Sequence, residues 1–346
     1  MAFRIGSFNV KNLSLSTERD LDRIARIITE NQLDIVAMQE VLSEGKILTG
    51  INSKTVSGQA KAYDYSLKRR LGKNWDICWR APQTHAKNSA NNGDLRGEGY
   101  AFLWNTARVD VPRDEHEQKI YPKIWTNYKT NVDAGLSRLA RDPCVGRFIA
   151  RGRKAEIRLI TTHIVYKKHQ SEGDVNIVYK TYQSEENANG MGDVEARKKE
   201  FQIIAGQIYQ RVSEYYKDIN HTSPYTIILG DYNLNLRTSE ATKAFMPRIA
   251  YFDKNGKAIL SDKGAYTVIH TVQEKLSTLK TSEDGLANNY DHFSFDERVK
   301  KQIVPYSAST IDAINQSPKE NGEESRFDIY RKEVSDHLPI VIEINV

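Results

Sequence analysis

The sequence predicts an α+β protein in which layered β-sheets are covered by helices. Short stretches of alternating apolar residues recur along the 346-residue chain, and their many β-branched and aromatic side chains are typical of strands. Amphipathic helical patterns lie between these stretches. Because no Pro- or Ser-rich linker and no internal repeat divides the chain, we expect a single domain over residues 1–346.

The strands are predicted where apolar and polar residues alternate, because successive side chains of a strand point to opposite faces of its sheet. In chain order the predicted strands are "FRIGSFNV", "DIVAMQEV", "WDICWR", "YAFLWN", "RFIAR", "IRLITTHIVY", "YTIILGDYN", "YDHFSF" and "LPIVIEINV". This alternation of many strands with a few helices indicates layered sheets that helices cover.

Two segments have the apolar spacing of amphipathic helices. In "STERDLDRIARIITENQ" the residues that share one apolar face are Leu21, Ile24, Ile27 and Ile28. Ser16 or Thr17 is available there as N-cap. In "DVEARKKEFQIIAGQIYQRVSEYY" the corresponding residues are Phe201, Ile204, Ile208, Val212 and Tyr215. Three polar stretches, 83–97, 167–192 and 309–325, are predicted to be long surface loops.

Composition limits the class of protein and its partners. With 39% hydrophobic residues the chain can bury a sizeable core, and we expect neither a signal peptide nor a transmembrane span. Cys78 and Cys144 provide neither a disulfide framework nor a thiolate metal cluster, so a cytoplasmic location is expected, with leaderless secretion left open. The net charge of +5 favours an anionic partner such as nucleic acid.

Polar residues of catalytic or metal-binding types follow or precede the predicted strands. These strand-end residues are Asn9, Gln39, Glu40, His163, Asp231, Asn233, Asp291, Asp336 and His337. Each alone has a structural explanation, since a strand-end carboxylate is usually solvated and "GDYN" contains common turn residues. If the strand ends meet at one edge, however, they assemble oxygen ligands for a hard cation beside acid–base groups.

The order of the motifs favours the functional interpretation. "SFNVKN", "VAMQEV", "TTHI", "LGDYNLN", "YDHF" and "SDHLPI" together resemble the endonuclease/exonuclease/phosphatase superfamily, which has the deoxyribonuclease I-like fold. The resemblance runs from near residue 4 to the C-terminus. It implies a four-layer α/β/β/α sandwich of two mainly antiparallel sheets, and metal-dependent hydrolysis of phosphodiester bonds.

The resemblance also implies a metal site and a general base. Glu40 is expected to be the principal metal ligand, with Asn9 and Asp336 adding oxygen ligands. Mg²⁺ is the expected cofactor, and Mn²⁺ suits the same ligands. His337 is expected to act as general base, and Asp291 to fix its tautomer and support its positive charge.

The remaining family positions concern the phosphate group. Asp231 and Asn233 match the pair that orients the nucleophile and hydrogen-bonds the phosphate. His163 matches a histidine that contacts a phosphate oxygen or protonates the leaving group, and Glu98 in "RGEGYAFLW" matches the carboxylate that supports it. Arg141 in "RDP" resembles an arginine that binds backbone phosphate, a contact independent of base sequence.

These features predict a DNA endonuclease of low sequence specificity. The alternatives are a phosphatase of inositol phosphates or another small phosphorylated ligand, and an inactive binding scaffold of the same fold. Some residues depart from the nuclease pattern: Arg96 stands where a tyrosine stacks in the minor groove, and His292 stands where arginine follows the aspartate. The disulfides of secreted nucleases are also absent, and two of the predicted loops are long.

Overall fold

The structure is a computed structural model. It describes residues 2–14, 19–42, 46–49, 66–81, 98–128, 139–153, 155–164, 197–198, 200–214, 224–235, 251–252, 258–259, 269–272, 275–316 and 325–346. The predicted loops 83–97 and 167–192 lie outside these residues.

Fifteen strands are present in the described residues. They are β1 (Ala2–Leu13), β2 (Ile35–Val41), β3 (Trp75–Arg80), β4 (Gly99–Asn105), β5 (Val109–Asp110), β6 (Lys123–Ile124), β7 (Cys144–Ala150), β8 (Glu156–His163), β9 (Tyr225–Asp231), β10 (Tyr251–Phe252), β11 (Ala258–Ile259), β12 (His270–Val272), β13 (Asp291–Phe295), β14 (Ser309–Thr310) and β15 (Ile340–Asn345). The helices are α1 (Leu21–Glu30), α2 (Lys46–Thr49), α3 (Leu67–Leu71), α4 (Tyr209–Glu214, continuing from a π-helical turn at Ile204–Ile208), α5 (Glu297–Lys300) and α6 (Arg326–Glu333).

Two large mixed sheets form the centre of the molecule. The first has the strand order β14-β15-β1-β2-β4-β3, and the second has the order β12-β13-β9-β8-β7-β5, with β6 also paired to β7. Both sheets are mainly antiparallel, but each has one parallel pair near its middle, β1 with β2 and β8 with β9. A small separate pair joins β10 and β11.

The alternating sequence pattern places side chains in three apolar layers. On β2, Ile35 and Ala37 point between the two sheets, whereas Val36 and Met38 point towards α1. The second sheet alternates in the same way, with its other face packed against the segment that contains α4. The predicted four-layer α/β/β/α arrangement is therefore confirmed. No helix among the described residues is long and apolar enough to span a membrane.

The helices agree with prediction except at their ends. Helix α1 begins at Leu21, and its N-cap is Asp20, whose side chain accepts a hydrogen bond from the backbone N–H of Arg23. The prediction of Ser16 or Thr17 as N-cap is therefore wrong, because a closer acceptor precedes the first apolar residue. In the second helical segment the predicted apolar residues are buried, apart from Tyr215, which lies outside the described residues.

The prediction of a surface loop over 309–325 is wrong for its first half. Ser309 and Thr310 form β14 and pair with β15 at the edge of the first sheet. Ile311 and Ile314 follow and are buried in the apolar layer beneath α1. Polar residues outnumber apolar ones over 309–325, so no alternating pattern indicated β14. Residues 317–324 lie outside the described residues.

Candidate active site

The polar strand ends meet where the two central parallel pairs terminate. Asn9 pairs in register with Gln39 at the ends of β1 and β2. In the second sheet Asp231 lies between His163 on β8 and Asp291 on β13. Because the carboxyl ends of parallel strands lie at the same edge of a sheet, the two sheets bring these side chains to one place.

The backbone departs from regular strand geometry at this edge. Register shifts interrupt β1 after Asn9 and β2 after Met38. Glu40 has φ of 60° and Asn233 has φ of 50°, in the left-handed region that non-glycine residues rarely adopt. Gly230 is also required, because its φ is 141° and a Cβ there would overlap the carbonyl oxygen of Thr162. Such strained positions cluster at functional sites.

Asp231 is the centre of the candidate site. Its Oδ2 accepts a hydrogen bond from Asn9 Nδ2 at 3.1 Å, and the Nε2 atoms of His163 and His337 lie 3.6 and 3.7 Å from it. Its Oδ1 accepts from the backbone N–H of Asn233 at 2.8 Å. Burial raises the pKa of Asp231, because the charged carboxylate is cut off from water among other acidic groups.

His337 has acidic partners. Its Nδ1 lies 2.8 Å from Asp291 Oδ2, and its backbone N–H donates to Ser335 Oγ. Burial alone would lower the pKa of His337, but the carboxylates of Asp291 and Asp231 raise it to about 10. In the metal-free protein this imidazole is therefore protonated at neutral pH. The contact supports the predicted pairing of His337 with Asp291.

His163 has a cationic partner. Its Nδ1 lies 2.7 Å from Arg141 Nη1 and 3.3 Å from Glu98 Oε1, and Arg141 is also ion-paired with Glu98. Burial and the nearby guanidinium lower the pKa of His163 to about 3. Because a guanidinium only donates hydrogen bonds, Nδ1 must accept. The imidazole is therefore neutral with its proton on Nε2, which faces Glu40 and Asp231.

The donor set fits a divalent cation. Carboxylate oxygens of Glu40 and Asp231 lie within 4.8 Å of each other. Asn9 Nδ2 joins Glu40 Oε1 to Asp231, and the buried Oδ1 of Asp291 has no hydrogen-bond partner among the described residues. A cation would balance this concentration of carboxylate charge, and oxygen ligands favour hard cations such as Mg²⁺.

The structure places the predicted ligand Asp336 differently. Its Oδ2 lies 2.7 Å from the ammonium of Lys11. Burial would raise the pKa of Asp336, but His337 and Lys11 lower it below its ordinary value. The side-chain oxygen of Asn9 accepts from the backbone N–H of Lys11 at 3.0 Å. Metal ligation by Asn9 and Asp336 remains a prediction, since both oxygens contact Lys11 here.

Two residues expected to bind substrate have protein partners. Both terminal nitrogens of Arg141 contact His163 or Glu98, so a phosphate contact by this guanidinium remains a prediction. Asn233 Nδ2 donates to the carbonyl of Ile164.

His292, at the position that departs from the nuclease pattern, is fully buried, and its Nε2 lies 2.8 Å from the carbonyl oxygen of Leu234. The imidazole of His292 is therefore enclosed by the protein.

Two residues to which the sequence assigned no role, Gln39 and Ser335, hold the site together. Gln39 Nε2 donates to Thr161 Oγ1 at 2.8 Å and so links the two sheets beneath Glu40. Ser335 Oγ donates to the carbonyl of Asn9, which fixes the His337 segment to β1. Gln39 and Ser335 occur inside the motifs "VAMQEV" and "SDHLPI", so their position beside charged residues was the available clue.

The comparisons with known proteins agree with this geometry. Residues 6–248 match the Endonuclease/Exonuclease/phosphatase family. This chain belongs to the endonuclease/exonuclease/phosphatase family. Members of the family are hydrolases that act on phosphoester bonds. Curated protein sequences give no match.

Solved structures share the fold at low sequence identity. A family protein from Bacteroides thetaiotaomicron has a TM-score of 0.53 and 14% identity, with 99% of this chain and 98% of that chain covered. A mannosyl-6-phosphatase from the same organism has a TM-score of 0.52 and 14% identity, covering 99% and 100%. ANGEL2, a 2′,3′-cyclic phosphatase, has a TM-score of 0.50 and 10% identity, covering 99% and 95%. At these identities the likeness shows the fold alone.

Proposed function

We propose that this protein is a Mg²⁺-dependent endonuclease that hydrolyses phosphodiester bonds in DNA with low sequence specificity. The observation that supports it most is the position of Asp231, whose Oδ2 lies within 3.7 Å of both imidazoles and accepts a hydrogen bond from Asn9. Phosphodiester hydrolysis needs a cation, a group that removes a proton from water and a group that stabilises the departing oxygen. The family positions supply all three.

Glu40 and Asp231 would hold the cation, with Asn9 beside them. The bound ion would supply charge stabilisation for the phosphoryl oxygens. Mn²⁺ suits the same oxygen ligands. The protein holds these ligands in fixed positions, because they lie at strand ends and the hydrogen bond from Gln39 to Thr161 joins the two sheets beside them.

His337 is the proposed general base, oriented by Asp291. A base must be neutral, whereas the neighbouring carboxylates hold the proton on His337 in the metal-free protein. Once the charge of Asp231 is balanced, one of the three carboxylates that raise the pKa of His337, those of Asp291, Asp231 and Asp336, no longer does so. His163 has the complementary task, because its Nε2–H can donate to a phosphate or leaving-group oxygen.

The charges around the site favour a phosphodiester over a phosphomonoester. Near neutral pH a monoester carries close to two negative charges, whereas a diester carries one. Among the described residues Arg141 is buried in an ion pair with Glu98, whereas Lys11, which is paired with Asp336, is partly exposed. The site therefore offers a substrate phosphate one accessible lysine, which matches the single charge of a diester better than the two charges of a monoester. The lysines of "YKKHQ" lie outside the described residues.

The net charge of +5 supports a polyanionic substrate, since phosphate contacts dominate the affinity of proteins for DNA. The phosphatase alternative draws on the shared fold with a mannosyl-6-phosphatase. Substrate chemistry does not follow from a fold, so the assay must compare the two substrate classes directly.

The test is a nicking assay on supercoiled plasmid with Mg²⁺, Mn²⁺ or EDTA, beside phosphate release from inositol phosphates and mannose 6-phosphate. The wild type should nick plasmid only with a divalent metal, and Glu40→Gln should abolish nicking. His116→Gln, at an exposed histidine, is the matched control and should retain activity. Phosphate release without nicking would establish the phosphatase alternative. Binding of DNA without turnover of any substrate would establish the scaffold.

A further inference from the structure

Lys11 stands at the mouth of the candidate site, within the motif "SFNVKN". Its ammonium lies 2.7 Å from Asp336 Oδ2, and about a third of each side chain is exposed (37% and 34%). Asp336 is adjacent in the chain to His337. A positive charge is therefore held beside the residue that precedes the proposed general base in the chain.

The backbone at Lys11 has an uncommon conformation. Lys11 and Asn12 have φ of 40° and 56°, two consecutive non-glycine residues in the left-handed region. Such conformations persist only where the surrounding structure enforces them. The register of β1 against β2 shifts in the same segment. The chain therefore leaves its strand geometry where the ammonium is presented.

Two side chains hold this turn from both directions. Asn9 Oδ1 accepts from the N–H of Lys11 at 3.0 Å, and Arg19 Nη2 donates to the carbonyl of Lys11 at 2.8 Å. Arg19 Nη1 donates to the carbonyls of Arg331 and Lys332 at the end of α6. The turn, Arg19 and the segment leading to Asp336 therefore form one connected unit.

We propose that Lys11 binds a phosphate group of the DNA substrate and positions it beside Asp336 and His337. This inference rests on the proposed function. An ammonium binds phosphate as a point charge, and its partial exposure leaves it accessible to a substrate. The alternative is an ion pair that only neutralises Asp336. Neutralisation needs no left-handed turn, because an exposed lysine reaches a carboxylate from ordinary strand geometry.

The experiment measures binding of a duplex oligonucleotide by fluorescence anisotropy in EDTA, where no cleavage occurs, between 50 and 200 mM NaCl. Lys11→Met should weaken binding about tenfold at 50 mM and reduce the slope of log Kd against log salt by about 0.9, the value for one phosphate contact. Lys11→Arg should keep the wild-type slope. Lys119→Met is the control, since Lys119 is ion-paired to Asp76 and Asp110 near the opposite ends of the strands.

The double variant Lys11→Met/Asp336→Asn separates the two explanations. If Lys11 contacts phosphate, the double variant keeps the reduced slope, because the contact is still missing. If Lys11 only neutralises Asp336, removal of both charges restores the wild-type slope and overturns the inference. In the plasmid assay Lys11→Met should raise KM more than it lowers kcat. A wild type that neither binds nor nicks DNA would instead overturn the proposed function, and this inference with it.

Discussion

The two histidines of the site share a carboxylate but differ in their other partners. His163 ends a strand of the second sheet and contacts Arg141, whereas His337 precedes a strand of the first sheet and contacts Asp291. Both side chains are about nine-tenths buried. Burial lowers the pKa of either imidazole, so only the charge of the partner explains why one pKa is about 3 and the other about 10.

This difference shows how one buried site can hold a proton donor and a proton acceptor. The cation beside His163 keeps that ring neutral and fixes its proton on Nε2. The carboxylates beside His337 keep that ring charged until their own charge is balanced. The division of roles therefore depends on Arg141 and Asp291, and variants of the four residues can break or sharpen the comparison.

The largest effect is expected from loss of either imidazole. His337→Gln and His163→Gln should each lower kcat for plasmid nicking by about 10²–10⁴-fold, the contribution typical of a positioned acid or base. The pH profiles should differ, because each variant retains only the other titrating group. Initial rates across pH check this, with His116→Gln as the exposed control. A loss under tenfold in His337→Gln would remove it from the mechanism.

The next effect concerns the buried pair beside His163. Arg141→Met should lower the free energy of unfolding by about 3 kcal/mol, because Glu98 is left buried without its partner. Urea unfolding measures this, and Glu98→Gln/Arg141→Met should recover part of the loss. Arg153→Met, at an exposed residue, should change stability by less than about 0.5 kcal/mol. An equally small change in Arg141→Met would show that the Arg141–Glu98 pair does not stabilise the fold.

The pH dependence of stability should have opposite signs for the two histidines. The folded pKa of His163, about 3, lies below its ordinary value of 6.5. Between these two values the imidazole is protonated in the unfolded chain but neutral in the native protein. The stability contribution of His163 therefore falls as the pH drops below 6.5 towards 3.

His337 has a raised folded pKa of about 10, so its contribution is fully present below pH 6.5 and is lost as the pH rises through 10. Unfolding free energies of the wild type, His163→Gln and His337→Gln in EDTA give the two differences. Parallel curves for the two variants would contradict the comparison.

The smallest effect on stability is expected at the partly exposed ion pair of Lys11 and Asp336. Lys11→Met should change the free energy of unfolding by less than about 1 kcal/mol, because a partly exposed ion pair is screened by solvent. Thermal and urea unfolding measure this change. A loss comparable to that of Arg141→Met would show that Lys11 is a structural residue and would remove the reason to assign it to substrate.

The parts of the site that lie on regular strands could be predicted from the sequence. Strands such as β2 and β9 were predictable because their alternating residues must face two different apolar layers. The strand-end positions of Asp231 and His337 followed from the same pattern and from the motif order. The turn at Lys11 was not predictable because its backbone is irregular. The two-residue strand β14 is too short to show an alternating pattern, and Asp20 was one of several N-cap residue types in its segment. The partners of Arg141 and Asp336 also required the folded chain, because they come from distant segments.

The most direct test is an NMR titration of the imidazole nitrogens in the metal-free protein, assigned with His163→Gln and His337→Gln. The account predicts that from pH 5 to 8 His163 stays neutral with its proton on Nε2, while His337 stays protonated on both nitrogens. Two imidazoles that both titrate near their ordinary pKa of 6.5, or a His163 protonated on Nδ1, would contradict it.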